Sequence, residues 1–174
     1  MKRLSIAVLG LLVAAGCSSN SSTSPSTTAA GNSTTRFTAT MSPALETPPI
    51  ANGESVGSGS ATIDFNITRD ATGTITTAST NFTVNMAGFP SSAVVNIAHI
   101  HTGVTGVAGP VLVNTTVNPG EVVLTSGSGT FTRVGITMPA ATAQSILDNP
   151  AGFYFNVHTT LNPGGVMRGQ LVKQ

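Results

Sequence analysis

Charge is what this sequence has least of: Asp, Glu, Lys and Arg together make up 7% of 174 residues, against roughly 25% in an average soluble domain. Trp is absent, Tyr and Cys each occur once, and there are 3 His. The scarcity of Lys and Arg leaves no basic patch for phosphates, so a nucleic-acid partner has nothing to bind to. A single Cys excludes an intramolecular disulfide framework and any Cys-rich zinc module. The hydrophobic share is 40%, which is close to ordinary. Ser, Thr, Asn and Gly take the place of the missing charge, and the length suits one domain plus an appendage.

The N-terminus carries two of the 7 basic residues, Lys2 and Arg3, ahead of the apolar run Leu4–Gly16. That run is too short for a membrane-spanning helix, which needs about 20 apolar residues, and it suits the core of an export signal. It ends in Ala14-Ala15-Gly16-Cys17, which resembles the bacterial lipoprotein processing site, although Ala14 stands where Leu is more usual. The resemblance implies that residues 1–16 are removed and Cys17 is lipidated, anchoring the chain to a membrane without spanning it. The remaining 158 residues hold five basic and six acidic side chains, a net of −1. Ser18 follows the Cys; in such lipoproteins a residue other than Asp there implies sorting to the outer membrane. The expected location is thus the bacterial cell envelope, on its periplasmic or surface side.

Residues 17–35 read as the lipidated Cys and a flexible tether, because 12 of the 18 residues from Ser18 to Thr35 are Ser or Thr and none is charged. From Arg36 to Gln174 the hydrophobic period is mostly two: Phe37, Ala39 and Met41, then Ala61, Ile63, Phe65 and Ile67, then Phe82, Val84 and Met86 alternate with polar residues. Further strands are predicted over 94–101, 111–115, 121–125, 129–134, 153–158 and 166–172, separated by Gly, Pro and Asn turns. The segment Pro139–Asn149 is the exception: Ala140, Ala143, Ile146 and Leu147 mark one helical face. The fold class that follows is all-β, an antiparallel Greek-key sandwich or barrel with one short helix capping an end.

Chemistry-bearing residues are few. His99 and His101 fall on one face of a predicted strand, and His158 lies at the end of another. Two imidazoles about 7 Å apart at Cβ can converge on one ion at about 2 Å, and a third completes a set suited to copper or zinc. The plain alternative is that they only hydrogen-bond within a sheet. Glu46 is a candidate further ligand, or a partner that orients an imidazole; its alternative is a turn-stabilising carboxylate before Pro48-Pro49. The six carboxylates are dispersed and the Gly-Ser-Gly segments read as turns, so no catalytic residue is assigned.

Phe37-Thr38-Ala39-Thr40-Met41, Glu46-Thr47-Pro48-Pro49, Gly57–Thr62, Ala98-His99-Ile100-His101, Gly109-Pro110-Val111, Phe155–Thr159 and Pro163–Leu171 together resemble the CHRD domain. That family is named for chordin and is frequent in bacterial secreted proteins and lipoproteins. Val166 stands where the family commonly has Glu. A second resemblance is to copper-zinc superoxide dismutases, which share the order of His99-Ile100-His101, Ala108-Gly109-Pro110, Val157-His158 and Arg168-Gly169-Gln170-Leu171. It implies His99, His101 and His158 as copper ligands and Arg168 as an anion-guiding cation, whose alternative is an Arg bonded to backbone carbonyls. Val111 replaces the bridging His of those enzymes, and the other zinc ligands and disulfide Cys residues have no counterpart.

The sequence therefore leads to a membrane-anchored envelope or surface lipoprotein with a non-catalytic binding domain and a three-His site for copper or zinc. A copper-dependent, superoxide dismutase-like oxidoreductase and a structural or adhesive module without metal are the alternatives. The protein or ligand partner is not specified by any residue pattern.

Overall fold

The computed structural model describes residues 30–174; the signal segment, Cys17 and most of the expected tether lie outside the described residues. Ten strands form two sheets: β1 (Gly31–Met41), β2 (Ser58–Arg69), β3 (Ile75–Ala87), β4 (Val94–Thr102), β5 (Val111–Asn114), β6 (Val122–Val123), β7 (Gly129–Thr137), β8 (Phe153–Thr159), β9 (Met167–Gln170) and β10 (Val172–Lys173). The first sheet has the order β10-β1-β2-β3-β7, and the second β5-β4-β8-β9 with β6 also on β4. All pairings are antiparallel. The chain passes between sheets after β3, β6, β7 and β9, so the expected all-β class is realised as a two-layer sandwich.

The period-two residues meet between the layers. Phe37, Ile63, Phe65, Phe82 and Val84 of the first sheet and Ala98, Ile100, Phe155, Val157 and Met167 of the second are all fully buried. The opposite face of the first sheet is a field of Ser, Thr and Asn, tied by Thr34–Asn66, Thr68–Asn32 and Thr130–Asn85 hydrogen bonds. A helix, α1 (Ala140–Asp148), follows Pro139 and buries Ala143 and Ile146 in the core, as its apolar face predicts. No helix among the described residues is long and apolar enough to cross a membrane.

Two boundaries differ from expectation. Residues Gly31–Thr35, assigned to the tether by composition, already pair with Phe65–Arg69 of β2, because a long neighbouring strand offers them a hydrogen-bonding edge that composition does not register. The single strand expected over 166–172 is broken at Leu171, which is buried at 1% exposure. Residues before it belong to the second sheet and those after it to the first.

That sheet switch depends on a close approach of β9 to β1. Ser42 and Arg168 bridge the layers, Ser42 N donating to the Arg168 carbonyl at 3.1 Å. A Cβ on Gly169 would sit 2.1 Å from the Thr40 carbonyl oxygen, so only glycine permits the contact. Gly169→Ala is expected to destabilise the domain by about 3 kcal/mol, measurable as a lower urea midpoint with a native-like slope.

Candidate metal centre

The middle of the second sheet is buried on both faces: every residue of β8, Phe153–Thr159, is buried. Strand alternation sends Phe153, Phe155 and Val157 to the core, leaving Tyr154, Asn156 and His158 on the outer face. Register adds the rest, because Asn156 opposes His99 and Tyr154 opposes His101 on β4, while on β9 Asn156 opposes Arg168 and Tyr154 opposes Gln170. Segments 43–52, 103–110 and 160–165 cover this polar face. It is a second, hydrophilic interior.

The three His converge there as strand spacing predicts. Ring centroids lie 5.4 Å apart for His99 and His101, 5.0 Å for His99 and His158, and 6.1 Å for His101 and His158. One ligating nitrogen from each falls within 4.8 Å of the others. A tetrahedral ion with bonds of about 2.05 Å needs nitrogens about 3.3 Å apart, so closure requires shifts of about 1.5 Å or less.

Hydrogen bonds fix which nitrogen faces inward. His101 Nδ1 donates to the Gly109 carbonyl at 2.9 Å and His158 Nδ1 to the Pro163 carbonyl at 2.8 Å. A carbonyl can only accept, so both Nδ1 atoms carry the proton and both Nε2 atoms present a lone pair. Those Nε2 atoms, with His99 Nδ1, are buried and have no hydrogen-bond partner. Carbonyl-anchored imidazoles with free inner nitrogens are how metal-ligating His are held.

The electrostatics agree. Burial pushes His99 from 6.5 down to about 4, with His158 and His101 adding to the effect. Burial also lowers His101 and His158, opposed by their bonds to Gly109 and Pro163. All three are therefore neutral at pH 7 and available as ligands.

Glu46 and Arg168 lie close to the cluster, each held by its own buried hydrogen bonds. The Glu46 carboxylate, 7% exposed, accepts from Asn156 Nδ2 at 3.1 Å and lies 3.9 Å from Arg168 Nε; it orients an amide, not an imidazole. Burial raises its pKa, with Arg168, the Thr47 amide and Asn156 pulling it back. Arg168 is 3% exposed. It donates to the Leu45 carbonyl at 2.6 Å, to the Val107 carbonyl at 3.1 Å and to Thr47 Oγ1, with its guanidinium 4.7 Å from the Tyr154 ring centre. These bonds use one N–H on each guanidinium nitrogen of a buried side chain, which is the carbonyl-bonded alternative, and they clamp two covering segments to β9.

Other contributors escape a motif search. Tyr154 stacks on His101 at 4.9 Å between centroids and 6° between planes, and its hydroxyl accepts from Gly109 N at 3.3 Å. Glu54, 3% exposed, accepts from Thr159 Oγ1 at 2.5 Å and from Asn162 Nδ2. Asn52 caps the turn that presents Glu54 and bonds Asn162 at 2.8 Å. This latch holds the loop whose Pro163 carbonyl orients His158. Period two could have placed Tyr154 and Asn156 beside His158, but Glu54 is reached only through the folded loop.

The depressed His values give a stability prediction. Between about pH 6.5 and about 4 the unfolded chain binds protons on His that the folded chain refuses, so stability is full above 6.5 and falls on acidification. Glu46, with its raised value, acts in the opposite sense. Denaturant midpoints of the metal-free protein are expected to fall from pH 7.5 to 5, and to fall less in His99→Gln.

Neither curated proteins nor solved structures gave a match. The CHRD domain family matches residues 37–171, a span that runs from within β1 to the residue before β10 and contains every residue of the three-His cluster, and the chain belongs to that family.

Proposed function

We propose that this protein is a lipid-anchored envelope lipoprotein whose CHRD domain is a non-catalytic binding module carrying one copper or zinc ion on His99, His101 and His158. The observation that carries the metal reading is the set of three inward, buried and partnerless imidazole nitrogens. Left unpaired, each costs about 1–3 kcal/mol of desolvation, and a cation recovers that loss. Neutral imidazoles favour copper and zinc over magnesium or calcium. The ion would serve to order the covering loops and to present an open coordination position.

The oxidoreductase alternative has less support. Val111, in the place of a bridging imidazole, is 46% exposed, and among the described residues the His cluster is the one group of three potential ligands that converges. Arg168 is spent on internal bonds. A metal-free adhesive module leaves the three unpaired nitrogens without explanation. Envelope attachment rests on the sequence through Cys17.

Full-length protein dialysed against copper or zinc is expected to retain about one ion per chain. His99→Ala, His101→Ala and His158→Ala should each lower affinity about tenfold or more, measured by competition with a chelator. Equal, substoichiometric metal in all four proteins would sink the reading. For the anchor, Cys17→Ala is expected to move the protein from the membrane fraction to the soluble fraction and to abolish labelling by a fatty-acid analogue; unchanged fractionation of the variant would refute it.

A further inference from the structure

Four buried side-chain atoms among the described residues lack a hydrogen-bond partner: the three His nitrogens and Asn156 Oδ1. The coincidence is informative. Asn156, 3% exposed, opposes His99 in register and precedes His158 by two on the same strand, so its side chain shares the face on which the imidazoles converge. Its orientation is determined by chemistry. Nδ2 donates to Glu46 Oε1 at 3.1 Å, a carboxylate held in turn by Arg168, and an ionised carboxylate can only accept. The amide oxygen is therefore turned away from Glu46, and donation from Nδ2 makes that oxygen a better acceptor.

We infer that Asn156 Oδ1 accepts a hydrogen bond from a water bound in the fourth position of the three-His metal. The inference rests on the metal reading above and deepens it. Three His leave a tetrahedral ion one open position. An amide oxygen is a poor direct ligand for the copper or zinc that imidazoles select, and it is well suited to a water held by such an ion.

An open cleft of about 550 Å³ is lined by residues from Glu46 to Asn52 and from Leu161 to Gly165. At its wall a Cβ on Gly165 would lie 2.9 Å from Asn156 Nδ2, 2.9 Å from Glu46 Oε1 and 3.0 Å from Asn156 Oδ1. Glycine there lets the covering loop lie directly on the amide, between it and the cleft. Because Oδ1 accepts, the site selects small protic ligands over aprotic anions such as azide, which turn lone pairs toward Oδ1.

Copper-loaded full-length protein is the test. Parent protein transferred to deuterium oxide should show deuterium modulation from a coordinated water in pulsed spin resonance. Asn156→Leu should keep one copper with three-nitrogen coupling, lose the strong water signal and bind azide about fivefold more tightly, the loss of one hydrogen bond to the competing water. Asn156→Ser, which removes the amide without adding bulk, gives the same comparison if the Leu variant does not fold. Copper bound by the three His with no coordinated water in the parent, or azide affinity unchanged in both variants, overturns the role of Asn156 and leaves the metal reading standing. Absence of His-dependent copper overturns both.

Discussion

Three partnerless imidazole nitrogens held together away from water are the constraint around which the second sheet is built. Two of the imidazoles are pinned from outside, His101 by the Gly109 carbonyl and His158 by the Pro163 carbonyl, while the His99 ring lies edge-on to both. Those carbonyls belong to loops, and loops are ordinarily the mobile parts of a sandwich. Here they are fixed by buried polar groups. Arg168 ties Leu45, Thr47 and Val107 to β9, and Glu54 ties Asn162 to the turn that Asn52 caps. A conventional sandwich spends its polar residues on solvent; this one spends several inside, where each unpaired atom costs stability.

The two sheets consequently do different work. The first is a scaffold with one apolar and one solvated face, its outer surface of Ser, Thr and Asn carrying the Arg36–Asp64 ion pair. The second is covered on both sides along β8 and β9, and its outer layer there is polar. The sheet switch at Leu171 joins them: β9 must reach β1 for the Ser42–Arg168 bridge to form, and that bridge sets the segment bearing Glu46 beside Asn156. Fold and site are coupled at Gly169, whose missing side chain allows the approach.

Strand alternation made much of this legible. Phe37, Ile63, Phe82 and their neighbours announce the core by period two, and His99-Ile100-His101 announces a shared face in the same way. Sequence order also brought His158 into the set, through likeness to known strands. What it could not supply was the environment of each side chain. Glu46 looked like a companion to an imidazole, and the group it bonds in the fold is the Asn156 amide, which no local pattern pairs with it. Arg168 looked like a cation for solvent, but the covering loops close over it. Glu54 and Asn162 are separated by 108 positions, a distance that no local pattern bridges. The start of β1 was hidden for a different reason: Thr-rich sequence fits a tether or an edge strand equally well, and only the partner strand decides.

The central claim is that the three His nitrogens converge on one ion, and X-ray absorption at the metal edge tests it most directly. Protein loaded with one equivalent of copper or zinc should show three imidazoles, recognised by scattering from their outer ring atoms, and one further oxygen ligand at about 2.0 Å, with one imidazole lost in His158→Ala. A shell made of oxygens alone, or one that is the same in the parent and in His158→Ala, would contradict it.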